Sequence, residues 1–196
     1  MSNSSKRNTR EKLMLTAIEL ISVKGYKSVT TQEIALTAGV SEKTLFRHFG
    51  TKLNLLESAF DEYHYVAEMT RLFEEKVVWN LHSDLLLVSK TYHEIMHKNR
   101  KLFMISLKEM NHLPELRTRT IRHPQQLLEL LTRYLQTMYE QGKVIQINAE
   151  LQAFSFMALN YGLFINHMED HVHFPWLSLE DVITESVWTF TRALTP

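Results

Sequence analysis

Between Glu42 and Phe49 the chain carries Lys43, Thr44, Arg47 and His48, two cations, a hydroxyl and an imidazole in close succession. That set suits a polyanion. Phosphate oxygens accept from lysine and arginine, and a guanine edge in the major groove accepts two bonds from one guanidinium. A second set, His93-Glu94-Ile95-Met96-His97, has the H-E-x-x-H spacing. There, two imidazoles one helical turn apart hold zinc and a carboxylate serves as general base. A third set gathers His167, Glu169, Asp170, His171 and His173, ligand types that suit a metal-responsive regulator.

The histidine sets carry less than the first. The chain has 10 histidines, so a short pattern arises readily by chance. No Gly-x-x-His follows His97. No strand pattern is available to align a peptide, and on a helical wheel Glu94 lies opposite the apolar stripe that His93 and His97 flank. There is no Gly-x-Ser-x-Gly elbow and no phosphate-binding loop. The chain has no cysteine, which excludes thiol catalysis, thiolate zinc sites and disulfides. The reading is a non-enzyme with no cofactor and no metal. A metal-responsive regulator and, more remotely, a zinc peptidase are the alternatives.

The elements that position the first set are short helices. Residues 11–23 place Met14, Ala17, Ile18 and Ile21 on one face, and Gly25 can end that helix. Thr30 and Thr31 cap a second helix with Ile34, Ala35 and Ala38 inward, stopped at Gly39. Ser41 caps a third, to about Phe49, with Leu45 and Phe49 inward. Thr51 caps a longer fourth, through Leu53, Leu56, Ala59, Phe60 and Tyr63. Two short helices about a glycine turn make a helix-turn-helix, whose second helix enters the major groove.

Charge is distributed accordingly. Residues 1–56 hold nine Lys/Arg and four acids, and the remainder 13 and 18, so a basic head precedes an acidic body on a chain of zero net charge. The polar N-terminus shows no signal peptide. Phe154–Ile165 is too short and interrupted to span a bilayer, so a cytoplasmic protein with no membrane partner is expected.

The stretch from Thr31 to Leu56 closely resembles the DNA-binding head of TetR-family regulators. The family pattern I-A-x-x-A-G-V-S-x-x-T-L-Y-x-H-F-x-x-K-x-x-L is matched at Ile34, Ala35, Ala38, Gly39, Val40, Ser41, Thr44, Leu45, His48, Phe49, Lys52 and Leu55. It departs at Phe46, where tyrosine is usual. The resemblance implies a phosphate held by Thr31 through its backbone N–H and hydroxyl, and another by Lys52. It places Lys43 and His48 near the backbone or groove floor, with Ser41 at the start of the recognition helix. Thr44 and Arg47 are the choices for base contacts. Phe46 cannot make the tyrosine's phosphate bond and is expected against a thymine methyl or a sugar.

The expected architecture is all-α, about nine helices: a three-helix head over residues 1–56 and a ligand-binding and dimerisation body over 57–196. In the body, Leu85, Val88, Tyr92, Ile95 and Met96 form one stripe, and Leu127, Leu128, Leu131, Leu135 and Met138 another that ends at Gly142. Pro114 and Pro124 read as boundaries or helix starts. Ser178 with Asp181 reads as a capping box for the last helix. The helix over 149–168 is apolar nearly all round, and Trp188 beside Val187 and Phe190 gives the last helix a similar excess. A homodimer built from these two helices accounts for both, and a palindromic double-stranded operator follows from its symmetry. The resemblance also implies a small-molecule effector in the body. Met104, Leu107, Tyr134, Met138, Met157, Asn160, Tyr161 and Phe164 are the candidates to line its site.

Overall fold

A computed structural model describes residues 3–168 and 176–196. Among these there are ten helices and no strand. They are α1 (Asn3–Lys24), α2 (Thr31–Thr37), α3 (Glu42–Phe49), α4 (Lys52–Tyr63), α5 (Val66–Glu75), α6 (Leu81–Lys98), α7 (Arg100–Glu109), α8 (Pro114–Glu140), α9 (Ala149–Met168) and α10 (Leu179–Leu194). The chain divides into two compact units, residues 1–64 with 99–121, and residues 65–98 with 122–196.

In the first unit, hydroxyl caps start the helices. Thr30, Ser41 and Thr51 accept from the backbone N–H three residues on, at 3.1, 3.2 and 3.0 Å, each satisfying one orphan donor of α2, α3 or α4. Glycines at φ +80 (Gly25) and +70 (Gly39) turn the chain out of α1 and α2, a region that costs an L side chain about 1–2 kcal/mol. Leu13, Ala17, Ile34, Ala38, Leu45, Leu55 and Leu56 are fully buried. Leu102 and Ile105 of α7 and Leu116 of α8 join the same core. Three short helices could not bury this much surface, so α4, α7 and the start of α8 complete the core, at about 1.5–3 kcal/mol for each large apolar side chain.

In the second unit α6 packs against α5, α9 and α10, and α9 against α10. Leu85, Val88, Phe156, Phe164, Ile183 and Val187 are buried there. Ser178 caps α10 by accepting from Asp181 N at 3.4 Å, and Gly142 at φ +67 ends α8. The helix beyond the expected nine or so is α5. Its apolar face, Val66, Met69 and Leu72, is buried, in a stretch that the periodicity reading leaves unassigned.

One expectation is corrected. Pro114 does begin α8, but Pro124 lies inside it. An interior proline forgoes a backbone bond and costs about 3 kcal/mol. Leu127, Leu131, Tyr134 and Leu135 beyond it are all buried, and their packing outweighs the local break. No described helix is long and apolar enough to cross a membrane.

Candidate nucleic-acid interface

The turn between α2 and α3 is closed by Gly39 N donating to Leu36 O and Val40 N to Ala35 O, both at 3.0 Å. Ser41 then fixes the first turn of α3. Its Oγ accepts from Thr44 N, and the two hydroxyls lie 2.9 Å apart. Leu45 and Phe49 anchor α3 in the core. With that face fixed, Lys43, Phe46 and Arg47 stand exposed and Thr44 and His48 are half-buried. Five of the predicted contact residues therefore share one short helix. Phe46 keeps 46% of its surface exposed, unusual for a phenylalanine in a folded head.

Thr31 and Lys52 are engaged within the unit. Thr31 Oγ1 donates to Glu42 Oε1 at 2.6 Å, clasping the start of α2 to the start of α3. Thr30, not Thr31, supplies the cap of α2. Lys52 Nζ donates to Tyr26 O at 2.7 Å and Val29 O at 2.6 Å. It also lies 4.1 Å above the centre of the Tyr26 ring. Two of its three N–H donors are thus committed to the α1–α2 turn. Burial lowers its pKa from the ordinary lysine value, and Glu109 opposes that shift. Tyr26 N donates to Glu109 Oε1 at 3.1 Å. Sequence reading did not find Glu109 or Glu42. Glu109 lies 83 positions from Tyr26, and no local pattern joins residues so far apart.

The body residues are placed less closely. Met104 and Leu107 lie on α7 in the first unit, half-buried and exposed respectively. The other six lie in the second unit. Tyr134 and Met138 are buried on α8, and Asn160 and Phe164 on α9, whereas Tyr161 is 43% exposed. Of the eight, Tyr134 lines a cavity of about 360 Å³ in the second unit.

Of the H-E-x-x-H set, His93 is buried, not at the solvent edge, while Glu94 and His97 are exposed. Burial drives the His93 pKa down to about 4, while the neighbouring Asn160 amide opposes that shift. No group of three metal-ligating side chains occurs among the described residues. His167 directs Nδ1 at Leu163 O, 3.0 Å away. Glu169, Asp170, His171 and His173 lie outside the described residues.

Comparison with known proteins bears on this arrangement. Residues 13–59 match the family model for bacterial regulatory proteins of the tetR family. The uncharacterised HTH-type transcriptional regulator YvkB of Bacillus subtilis (strain 168) is 31% identical over 168 residues, covering 85% of this chain and 87% of that protein. Among solved structures, NalD, the secondary repressor of the MexAB-OprM multidrug efflux pump in Pseudomonas aeruginosa, superposes with a TM-score of 0.72 at 20% identity, covering 97% of this chain and 98% of that one. A transcriptional regulator from Saccharomonospora viridis, solved in complex with choline, gives a TM-score of 0.77 at 19% identity over 97% of this chain and 99% of that one.

Proposed function

This chain belongs to the TetR family of bacterial regulatory proteins and is a DNA-binding transcriptional regulator, not an enzyme; we propose that it works in the cytoplasm as a homodimeric repressor, released from a palindromic operator by a small molecule.

The observation that carries this reading is the presentation of α3. One face is anchored by Leu45 and Phe49 and the opposite face offers Lys43, Phe46 and Arg47. Arg47 and Thr44 read base edges, with Arg47 bidentate on guanine. Lys43 and His48 meet the phosphate backbone, and Phe46 lies against a thymine methyl or sugar. Thr31 offers its backbone N–H to a phosphate, its hydroxyl being held by Glu42. Lys52 shapes the α1–α2 turn with two donors and keeps one for the backbone.

The dimer is supported by a bare apolar face. Leu151, Phe154 and Tyr161 on α9 are 61, 59 and 43% exposed, and Trp188 on α10 is 42% exposed. The opposite face of α9 is already buried through Ala153, Phe156, Asn160 and Phe164. A second copy covering the bare face gives two recognition helices related by a twofold axis. NalD is a repressor and the Saccharomonospora protein binds choline, which favours repression and a small effector here. The chain passes between its two units at residues 64–65, 98–99 and 121–122. Effector binding in the second unit shifts α4 through these crossings and takes the two heads out of register with the groove. A coupling of about 1–3 kcal/mol is enough for appreciable induction.

The test is to incubate the purified protein with sheared DNA from its source genome, recover what is retained and titrate salt. Enrichment of a palindromic fragment, with affinity falling steeply as salt rises, supports the reading. Equal, weak retention of all fragments means general phosphate attraction and sinks it.

A further inference from the structure

The second unit holds an aromatic and acidic cavity whose construction is specific. Phe73 of α5, Trp79 of the α5–α6 turn and Tyr134 of α8 form one aromatic group on the wall of the 360 Å³ cavity. Trp79 stacks on Tyr134 with ring centres 5.7 Å apart and 18° between planes, and Phe73 lies 5.7 Å from Tyr134 at 54°. Glu74 and Glu129 line the same space, and among the described residues Arg133 is its one lining cation. Among the described residues neither glutamate is ion-paired.

The aromatic wall is held in place by a buried carboxylate. Asp84 is 1% exposed. It accepts from Val78 N at 2.9 Å, from Asn80 N at 3.0 Å and from Tyr134 Oη at 2.8 Å. These bonds bracket Trp79, whose own carbonyl accepts from Lys143 Nζ at 2.9 Å. Trp79 is the only non-glycine residue with positive φ among those described, at +59°. Such a conformation persists only where its surroundings over-determine it. Trp79 as a whole remains 37% exposed, so it is both fixed and reachable. A phenol that donates to a carboxylate gains electron density on its ring, which strengthens the negative face of Tyr134.

Resting on the reading that the second unit takes a small effector, we infer that this cavity binds an organic cation, a quaternary or aromatic ammonium, between the Phe73–Trp79–Tyr134 wall and the Glu74 and Glu129 carboxylates. Aromatic faces attract a cation within about 6 Å of the ring centre, most strongly when water is excluded. An inorganic cation, strongly hydrated, gains little from such a wall. An organic anion faces two glutamates against Arg133 alone. Arg133 stands four residues from Glu129 on α8, where it screens that carboxylate without closing a salt bridge.

The probes are phenyltrimethylammonium and its uncharged isostere tert-butylbenzene, titrated calorimetrically into the full-length protein. The cation is expected to bind at least about tenfold tighter than the isostere. Glu74→Gln with Glu129→Gln removes most of that preference. Trp79→Gly deletes the ring while relieving the backbone, and weakens the cation by about tenfold or more. Arg133→Ala tightens it. Equal affinity for both probes, no binding by a protein that still retains DNA, or an undiminished preference in the double glutamate variant overturns the site. A cation that binds but leaves the protein–DNA complex intact upholds the site and removes its effector role. Release of DNA by an unrelated compound, with the cation unbound, does the reverse.

Discussion

Asn99 Nδ2 donates to Tyr63 O at 2.7 Å. The two residues are 36 apart in sequence and lie in the first unit, each within one residue of a point where the chain leaves it. Asn99 stands at the cap position of α7 but its side chain does not cap that helix; it ties down the last carbonyl of α4 instead. Two of the three crossings are therefore joined by one hydrogen bond. Asn99→Ala is expected to leave operator affinity within about twofold but to change the ratio of affinities with and without effector, since a coupling element contributes about 0.5–2 kcal/mol. Operator titrations with and without saturating effector measure this. An unchanged ratio would show that the bond is structural only.

The α1–α2 turn is held from both sides, by Glu109 on Tyr26 N and by Lys52 on the Tyr26 and Val29 carbonyls. Lys52→Met keeps the length of the side chain and removes both bonds. It should destabilise the protein by about 1–3 kcal/mol, the range for a buried acceptor left unmade. Urea unfolding checks it. A loss of DNA affinity with no loss of stability would assign Lys52 wholly to phosphate binding.

On α3, Arg47→Ala should cost about 1–3 kcal/mol at the operator and relax discrimination at one base position. Phe46→Tyr should do the opposite. It adds a hydroxyl on a ring that is already 46% exposed, and a new phosphate bond contributes about 1 kcal/mol, roughly fivefold. Competition binding against operator variants separates the two effects. If Phe46→Tyr weakens binding, the phenylalanine is packed against an apolar part of the DNA.

Phe154→Glu places a charge on the bare face of α9. If the proposed homodimer forms through this face, sedimentation velocity should show a dimer for the parent and a monomer for the variant, and operator affinity should fall by at least about tenfold because the second half-site contact is lost. A variant that sediments as the parent does would move the interface elsewhere.

His93 gives the protein a stability that depends on pH. Burial first, and then the neighbouring His167 and His97, lower its pKa from 6.5 to about 4, with the Asn160 amide opposing the shift. The unfolded chain takes up this proton near pH 6.5 and the folded chain only near pH 4, so stability is whole above pH 6.5 and falls as pH falls between those values. The loss between pH 7 and pH 5 is about 2 kcal/mol. His93→Gln should flatten that part of the urea-midpoint profile. A profile equally steep in the variant would place the titration on other histidines.

The sequence by itself determined the head. Its caps, glycine turns and inward apolar positions are local, lying within a turn or two of each other, and Ser41, Leu45 and Phe49 mark which side of α3 faces outward. The all-α class was legible for the same reason, because helical periodicity is a property of a dozen adjacent residues. Only the tertiary structure decided what those elements meet. Pro124 reads locally as a boundary, yet α8 continues through it because Leu127 and Leu131 are buried beyond it. Lys52 is expected to hold a phosphate, yet two backbone carbonyls already accept from it. Glu109, Asp84 and Asn99 act on partners 83, 50 and 36 residues away. A hydrogen bond depends on distances of tenths of an ångström, and such distances between remote residues exist only once the chain has folded.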